Sequence, residues 1–251
     1  MSEETSGVVR EWRARVAEGA VVLDGFHALK HALRFDAPLF RVLALDPDQV
    51  RELARELAPD LVDRLGPLVV RVPEATLRAL VPRVHPTGVV ALAERPDPVE
   101  NLTALGLLTR VAPLVVLDQP RHLGNLGAVI RLAAGMDVAG VVTTGSADPW
   151  HPGAVRAGAG LHFATRVERV EPEELPSGPR WVLDPEGEDL RDVRIPAEAL
   201  LVFGSERHGV SPELRAGADR LLALPMRPQV SSYNLATSVA MTLYHWRLGE
   251  P

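Results

Sequence analysis

Short apolar runs that each end in a polar or glycine-rich loop constrain the second half of this chain most strongly. The run PLVVLD at 113–118 is nearly continuous in apolar residues, which is typical of a parallel strand buried on both faces. A helix-like stretch follows it at 125–136, and further apolar runs recur until the chain ends. This alternation predicts an α/β fold whose parallel sheet binds ligands at the carboxyl ends of its strands. The loops expected at that edge are 118–125, 184–187, 204–209 and 226–234.

The first hundred residues predict a smaller α/β unit of their own. Strand-like runs at 40–46, 68–72 and 87–94 alternate with stretches of helical periodicity, of which 48–66 is the longest. The segment RPDPVENLT, rich in proline and charge, then interrupts the pattern. We therefore expect an N-terminal domain at 1–95, a linker at 96–110 and a C-terminal domain at 111–251.

The amino-acid composition excludes several classes of protein and several kinds of functional site. A hydrophobic content of 46% and a charged content of 24% are typical of a soluble globular protein. No apolar run reaches the roughly 18 residues of a membrane span, and the acidic, polar N-terminus is unlike a signal peptide, so we expect a cytoplasmic protein with no membrane partner. Because the chain has no cysteine, it has no disulfide, thiolate nucleophile or zinc-finger site, and we expect no metal.

The net charge of −6 argues mildly against a nucleic-acid partner. Binding sites depend on local rather than total charge, however, and almost all of the positive charge is arginine. Arginine is a planar, bidentate donor to phosphate wherever it clusters. The charge balance therefore neither excludes nor requires a nucleic-acid partner.

The stretch HLGNLG at 122–127 resembles half of a dinucleotide-binding fingerprint. It lacks the G-x-G start, and no acidic residue follows at the required strand end, since Asp137 lies at a helix end. We interpret its glycines as tight-turn and helix-packing positions. Arg131 lies in the apolar helix that follows, nearly two turns after Asn125, and we expect the two on one face near the same strand end. An arginine in such a helix most often snorkels to water or pairs with a carboxylate.

Two further polar clusters follow predicted strands. In FGSERHG, Glu206 lies between two glycines after an apolar strand; this is ordinary for an exposed turn, yet the carboxylate can also accept donors from a ligand or orient Arg131. In SSYN at 231–234, Ser232 and Asn234 belong to a group of polar residues ahead of an apolar helix. A helix N-cap needs only one such residue. The polar residues beyond the one that a cap needs indicate a binding site.

Together and in this order, these stretches resemble the SpoU (TrmH-like) branch of the SPOUT superfamily of RNA 2′-O-ribose methyltransferases. The three motifs read LDQPRHLGNLGAVIRLAAGMDVAGVV, LVFGSERHGVSPEL and LALPMRPQVSSYNLATSVAMTLY. The resemblance spans 113–248, and the stretch VVLDGFHALKHAL is loosely similar to the start of the family's N-terminal substrate-binding domain.

The resemblance implies a parallel-sheet methyltransferase domain with a trefoil knot, a homodimer whose site is shared between subunits, and S-adenosylmethionine as cofactor. It implies methyl transfer to a ribose 2′-OH of structured RNA, with ribosomal RNA favoured over tRNA. The family's catalytic and substrate-positioning residues correspond to Asn125, Arg131, Glu206, Ser232 and Asn234. Its cofactor contacts correspond to Gly204, Leu224, Met226, Tyr233 and Leu235, and we expect Gly204→Val to fill the cofactor's space.

The chain departs from the family pattern at Tyr233, where Leu is usual, at Ala236, where Ser is frequent, and at Gly158, where Ser is common. The family assigns proton removal to the arginine, but a guanidinium is a poor base, and we favour a grip on an RNA phosphate. Two other classes stay open. One is a catalytically inactive RNA- or ribosome-binding knotted dimer; the other is a nucleotide-dependent oxidoreductase, which the broken fingerprint disfavours.

Overall fold

The computed structural model describes residues 3–106 and 110–249 of the chain, and it divides the chain into two compact units. Unit 1 comprises Met1–Pro96 together with Ala159–Ala164, and unit 2 comprises Asp97–Gly158 and Thr165–Pro251. Residues 107–109 of the predicted linker lie outside the described residues, as do the last two residues of the predicted C-terminal domain.

Unit 1 is built on a four-stranded mixed sheet in the order β1-β4-β2-β3. Strand β4 runs antiparallel to both β1 and β2, whereas β2 and β3 are parallel. Its elements are α1 (Glu3–Ala17), β1 (Val21–Asp24), α2 (Phe26–Arg34), β2 (Leu39–Ala44), α3 (Pro47–Leu57), α4 (Val62–Leu65), β3 (Val69–Arg71), α5 (Glu74–Leu80) and β4 (Val89–Ala93). The expected α/β character of this region is confirmed.

Two features of unit 1 differ from the sequence prediction. Helix α1 has no counterpart in it, because among its described side chains only Val9 and Trp12 are buried and the apolar stripe is short. The single helix predicted at 48–66 is instead α3, a 3₁₀ turn that begins at Pro59, and α4. Proline lacks the amide N–H and its ring clashes with the preceding turn, so the helix ends before it.

Unit 2 contains a six-stranded sheet in the order β10-β8-β9-β5-β6-β7, and every pairing in it is parallel. Its elements are α6 (Pro98–Leu105), β5 (Leu114–Leu117), α7 (Leu123–Met136), β6 (Gly140–Thr143), α8 (Pro152–Ala157), β7 (Arg166–Arg169), β8 (Arg180–Asp189), β9 (Leu200–Phe203), α9 (Pro212–Ala216), β10 (Arg220–Ala223) and α10 (Leu235–Leu248). Strands β5, β6 and β9 are buried along their whole length, as the continuous apolar runs predict. The predicted parallel sheet is confirmed.

Helix α6 lies inside the stretch predicted as a linker, so Pro98–Leu105 form a helix there. The Asp97 carboxylate caps the helix by accepting the backbone N–H groups of Val99 and Glu100, and proline occupies the first helical position. Asn101 Nδ2 donates to the buried Glu168 Oε1 over 2.9 Å, which attaches the helix to strand β7. The Asp-Pro pair that reads as a break is in fact a helix start.

Strand β10 pairs with β8 in two separated stretches. Leu221 pairs with Val182, but the next residue, Leu222, pairs with Glu188, so residues 183–187 loop out of the ladder. The two backbones come so close that a Cβ atom on Gly187 would lie 2.4 Å from the backbone of Leu221. This loop reaches the carboxyl edge of the sheet, where the candidate site lies.

Helix α7 packs against both α8 and α10. A Cβ atom on Gly127 would lie 2.3 Å from the carbonyl oxygen of Ala154, so only glycine allows α7 and α8 to approach this closely. The interpretation of this glycine as a helix-packing position is confirmed. Among the described residues, no helix combines the length and apolar character that crossing a membrane requires.

Candidate functional site

A cleft of about 730 Å³ lies at the carboxyl edge of the sheet in unit 2. Its walls are the loop between β5 and α7, the looped-out residues of β8, the loop after β9 and the loop between β10 and α10. The described residues at this cleft include nine of the ten predicted site residues. They are Asn125, Gly204, Glu206, Leu224, Met226, Ser232, Tyr233, Asn234 and Leu235.

Three polar side chains from three different loops form one hydrogen-bonded chain at the cleft. Asn125 Nδ2 donates to Glu206 Oε1 over 2.7 Å. Asn234 Nδ2 donates to Asn125 Oδ1 over 3.1 Å. Because each amide uses its nitrogen as donor and its oxygen as acceptor, both amides are fixed in one orientation.

The Glu206 carboxylate is the acceptor at the end of this chain. Burial acts to raise its pKa, but hydrogen bonds from Asn125, from its own backbone and from the backbone N–H of Arg121 outweigh burial, so the pKa lies below its ordinary value. The group is therefore an anion at neutral pH. It can fix Asn125 and can accept hydrogen bonds, but it has no proton to give.

Asn234 also begins helix α10. Its Oδ1 accepts the backbone N–H groups of Ala236 at 2.9 Å and Thr237 at 3.4 Å, which leaves its amide nitrogen for Asn125. One asparagine thus provides both the N-cap and the link to the cleft. The hydroxyl of Ser232 has no hydrogen-bond partner among the described residues, so it is available to a ligand.

Tyr233 occupies the position where the family usually has leucine. Its hydroxyl donates to the carbonyl oxygen of Pro225 over 3.1 Å, which closes the loop of residues 225–233 on itself. The side chain lines the cleft while the residue keeps 39% of its surface exposed. The larger side chain therefore shapes the cleft wall and also braces the loop.

Gly204 lines the cleft and also supports the loop after β9. The backbones of Ser205 and Gly209 bond to each other over 3.0 and 3.1 Å, which forms a tight hairpin. A Cβ atom on Gly204 would lie 2.0 Å from the carbonyl carbon of Gly209. Gly204→Val should therefore be harmful for a second reason as well, because the added side chain would collide with the backbone of the hairpin.

Asp118 is a supporting residue that the sequence prediction missed. It is 2% exposed, its Oδ1 accepts the hydroxyl of Thr144 over 2.7 Å, and its Oδ2 accepts the backbone N–H of Ser211 over 2.6 Å. It therefore ties the end of β5 to the end of β6 and to the loop that carries Glu206. Its position directly after an apolar strand was the available signal, since buried carboxylates occur where donors meet them.

Arg215 holds the looped-out part of β8 in place. Its Nε donates to Asp184 Oδ2 over 2.7 Å, and its Nη2 donates to Glu186 Oε2 over 2.6 Å. The hydrogen bond from Arg215 is the main cause that lowers the pKa of Asp184, which itself lines the cleft. The ion pairs join residues about thirty positions apart in the sequence, so no local sequence pattern predicts them.

Arg131 is the predicted site residue that does not line the cleft. It is exposed on α7 and makes no hydrogen bond or ion pair with any residue the structure describes. Six residues turn an α-helix by about 600°, so Arg131 points about 120° away from Asn125. The expectation that the two share one face is therefore wrong.

Within the described ranges, no group of three or more histidine, aspartate or glutamate side chains is placed to hold a metal ion.

Comparisons with known proteins agree with one another. The model of the SpoU rRNA Methylase family matches residues 112–244. The chain is 28% identical, over 94% of its length and 69% of the relative's, to "rRNA methyltransferase 3, mitochondrial" of Mus musculus. It is 27% identical, over 94% of its length and 87% of the relative's, to "23S rRNA (uridine(2479)-2′-O)-methyltransferase" of Streptomyces viridochromogenes.

A solved structure, the AdoMet-bound rRNA methyltransferase from Sinorhizobium meliloti, has the same fold, with a TM-score of 0.77 at 24% sequence identity. The likeness covers 99% of this chain and 97% of that one. The family match covers more than half of the chain, and it includes all four loops that build the cleft. The chain therefore belongs to the SpoU rRNA methylase family.

Proposed function

We propose that this protein is an S-adenosylmethionine-dependent RNA methyltransferase that methylates a ribose 2′-OH. One observation carries the proposal. The predicted residues Asn125, Glu206 and Asn234, which come from three distant motifs, form a single hydrogen-bonded chain at a cleft on the ligand-binding edge of the sheet. A chain that had lost its chemistry would have no reason to keep this arrangement, which disfavours the inactive binding dimer.

The cleft fits the cofactor in size and character. Its volume lies within the roughly 300–1,000 Å³ of small-molecule and cofactor sites. Apolar side chains that suit an adenine ring lie beside polar groups that suit an amino acid; the apolar ones include Leu224, Met226 and Leu235, and the polar ones include Ser232. When bound, the cofactor supplies an electrophilic methyl group on its sulfonium.

The chain's own residues would contribute mainly by positioning. The ionised Glu206 fixes the amide of Asn125, and Asn125 fixes that of Asn234, so their remaining hydrogen-bonding positions meet a substrate in one preset geometry. Holding two reactants in the correct geometry is worth a large part of a reaction barrier. Arg131 would hold an RNA phosphate near the reacting hydroxyl, whose proton would pass to that phosphate or to water, because guanidinium remains protonated.

The active form would be a homodimer. On α10, Tyr244 and Leu248 are 58% and 68% exposed and lie four residues apart, so they form an apolar stripe on the outer face of the helix. Arg131 lies on α7, which packs against α10 but does not send this side chain into its own cleft. A second copy placed on this face would cover the stripe and would allow Arg131 of the partner subunit to complete the site.

Ribosomal RNA is the favoured substrate, as the name of the family and the names of the relatives suggest. In this proposal unit 1 recognises the RNA and unit 2 carries out the chemistry. Arg10 and Arg13, which are exposed on α1 and form no ion pair with a described residue, are candidates for RNA contact. The protein would act in the cytoplasm.

Calorimetry with S-adenosylhomocysteine, the demethylated cofactor, tests the site assignment. We expect binding in the micromolar range and none with NAD under the same conditions. Binding of NAD with equal or higher affinity would support the oxidoreductase and would contradict the proposal.

A further inference from the structure

Three of the loops that build the cleft each carry an exposed arginine beside a residue that lines it. Arg121 precedes His122 in the loop before α7, Arg207 follows Glu206 in the loop after β9, and Arg227 follows Met226 in the loop after β10. Arg207 itself lines the cleft. None of the three corresponds to a residue that the family resemblance assigns to catalysis or to the cofactor.

Within the part of the chain that the structure describes, the guanidinium groups of these three arginines make no hydrogen bond and no ion pair. Many other arginines are engaged; Arg34 and Arg220, for example, each form a two-point contact with one carboxylate. The lack of partners matters in a chain with a net charge of −6, where acids outnumber bases. Three unneutralised guanidinium groups at one cleft make its mouth locally positive.

The carboxylates that line the cleft cancel only part of this charge. Asp184 is paired with Arg215, whereas Glu206 stays an anion because its donors, the amide of Asn125 and the backbone N–H of Arg121 at 3.4 Å, are neutral, so three guanidinium groups face one unpaired carboxylate. The 3.4 Å contact also brings the backbone of Arg121 to the side chain of Glu206, the residue before Arg207, although the two loops are more than eighty residues apart. The backbones of two of the three arginines therefore lie next to Glu206 of the polar chain.

We propose that Arg121, Arg207 and Arg227 bind the RNA phosphates on both sides of the nucleotide to be methylated. Guanidinium is suited to this task because its planar fork donates two parallel hydrogen bonds to a phosphate. Contacts to phosphate position a nucleic acid without reading its sequence. The cleft would thus hold any RNA strand, and the choice of target would be made elsewhere. The inference rests on the proposed function and names the substrate contacts of that site.

The test is the salt dependence of RNA binding. A fluorescein-labelled oligouridylate of twelve nucleotides is titrated with the full-length protein at several KCl concentrations, and the slope of log affinity against log salt is measured by fluorescence anisotropy. Each phosphate contact on a single strand contributes about −0.7 to that slope, so the triple variant Arg121→Ala, Arg207→Ala, Arg227→Ala should have a slope smaller in magnitude by about 2. At about 0.1 M salt this corresponds to an affinity loss of about 100-fold.

Arg166→Ala is the matched control. Arg166 is exposed in the same unit and forms no ion pair with a described residue, but it pairs with Gly140 at the amino end of β7, on the opposite edge of the sheet. We expect it to keep the wild-type slope. Replacement of the three arginines by lysine should also keep most of the slope, since charge is retained, and S-adenosylhomocysteine affinity should stay unchanged in Arg166→Ala, which lies away from the cleft.

A slope that is unchanged in the triple alanine variant would overturn the proposal, as would a wild-type protein that binds the oligouridylate without salt dependence. An equal loss of slope in Arg166→Ala would also overturn it. Because the readout is binding, it is separable from the enzymatic proposal. Methylation of RNA by a triple variant with an unaltered slope would retain the enzyme and reject the three arginines. A lost slope in the triple variant, together with no methyl transfer by the wild-type protein, would do the reverse.

Discussion

Removal of the buried carboxylate of Asp118 should destabilise unit 2 and loosen its cleft. Asp118 is the common acceptor for the hydroxyl of Thr144 and the backbone N–H of Ser211, and it is almost completely shielded from water. In Asp118→Ala both donors lose their partner inside the protein. The loop that carries Glu206 then loses its attachment to the end of β5.

The magnitude follows from the number and type of these bonds. A hydrogen bond to a charged group contributes about 1.5–3 kcal/mol, so the loss of two should lower the free energy of unfolding by about 3–6 kcal/mol. In Asp118→Asn one oxygen remains for the N–H of Ser211, and the hydroxyl of Thr144 can rotate to accept the new amide N–H. The asparagine variant should therefore lose about half as much.

Chemical denaturation followed by tryptophan fluorescence measures this difference, with S-adenosylhomocysteine affinity as a second readout of the loop. The control is Asp192→Ala, which removes an exposed carboxylate from the same unit and should change the free energy of unfolding by less than about 0.5 kcal/mol. If Asp118→Ala proves no more destabilising than this control, or if asparagine is as harmful as alanine, the reasoning about the buried acceptor is wrong.

Three other changes test separate parts of the structure. Arg215→Ala should weaken S-adenosylhomocysteine binding, measured by calorimetry, while costing about 1 kcal/mol or less in stability, because the Arg215 side chain is 40% exposed even though Asp184 is only 14% exposed. Unchanged affinity would mean that the ion pairs do not hold the cleft wall. In an open helix Gly127→Ala would stabilise the protein. Here it should instead lower the free energy of unfolding, measured by chemical denaturation, by about 1–3 kcal/mol, because the new Cβ atom would meet the carbonyl oxygen of Ala154. The pKa of Glu206 is lowered on folding, so its contribution to stability is present above its unfolded value of 4.5 and is lost as pH falls through the folded pKa. Because Glu206 is ionised at neutral pH, the affinity for S-adenosylhomocysteine should not change with pH in that range. An affinity that begins to decline near pH 6 would contradict the lowered pKa.

The features that local pattern encodes could be predicted from the sequence. Continuous apolar runs indicate strands that are buried on both faces, and the polar residues that follow these strands must meet at one edge of a parallel sheet. That logic is sufficient to bring Asn125, Glu206 and Asn234 together, although it cannot supply the direction of their hydrogen bonds.

What could not be predicted depends on contacts between distant residues or on the angle around a helix. The bond from Ser211 to Asp118 and the pairing of Arg215 with Asp184 join residues that no periodicity relates. The spacing of Asn125 and Arg131 predicts their distance along α7, but the rotation of the helix turns the two side chains about 120° apart. An aspartate followed by proline reads equally well as a break or as the cap of α6, and only tertiary contacts decide between the two.

The central claim is methyl transfer to a ribose hydroxyl of RNA, and one measurement tests it most directly. Ribosomal RNA and tRNA are each incubated with the protein and S-adenosylmethionine that carries an isotopically labelled methyl group, then digested to nucleosides and analysed by mass spectrometry. We predict label on the ribose of a 2′-O-methylnucleoside from ribosomal RNA, and its reduction to background in Asn234→Ala, which removes the terminal donor of the polar chain. Label on a base, label on no nucleoside from either RNA, or full activity in Asn234→Ala would contradict the account.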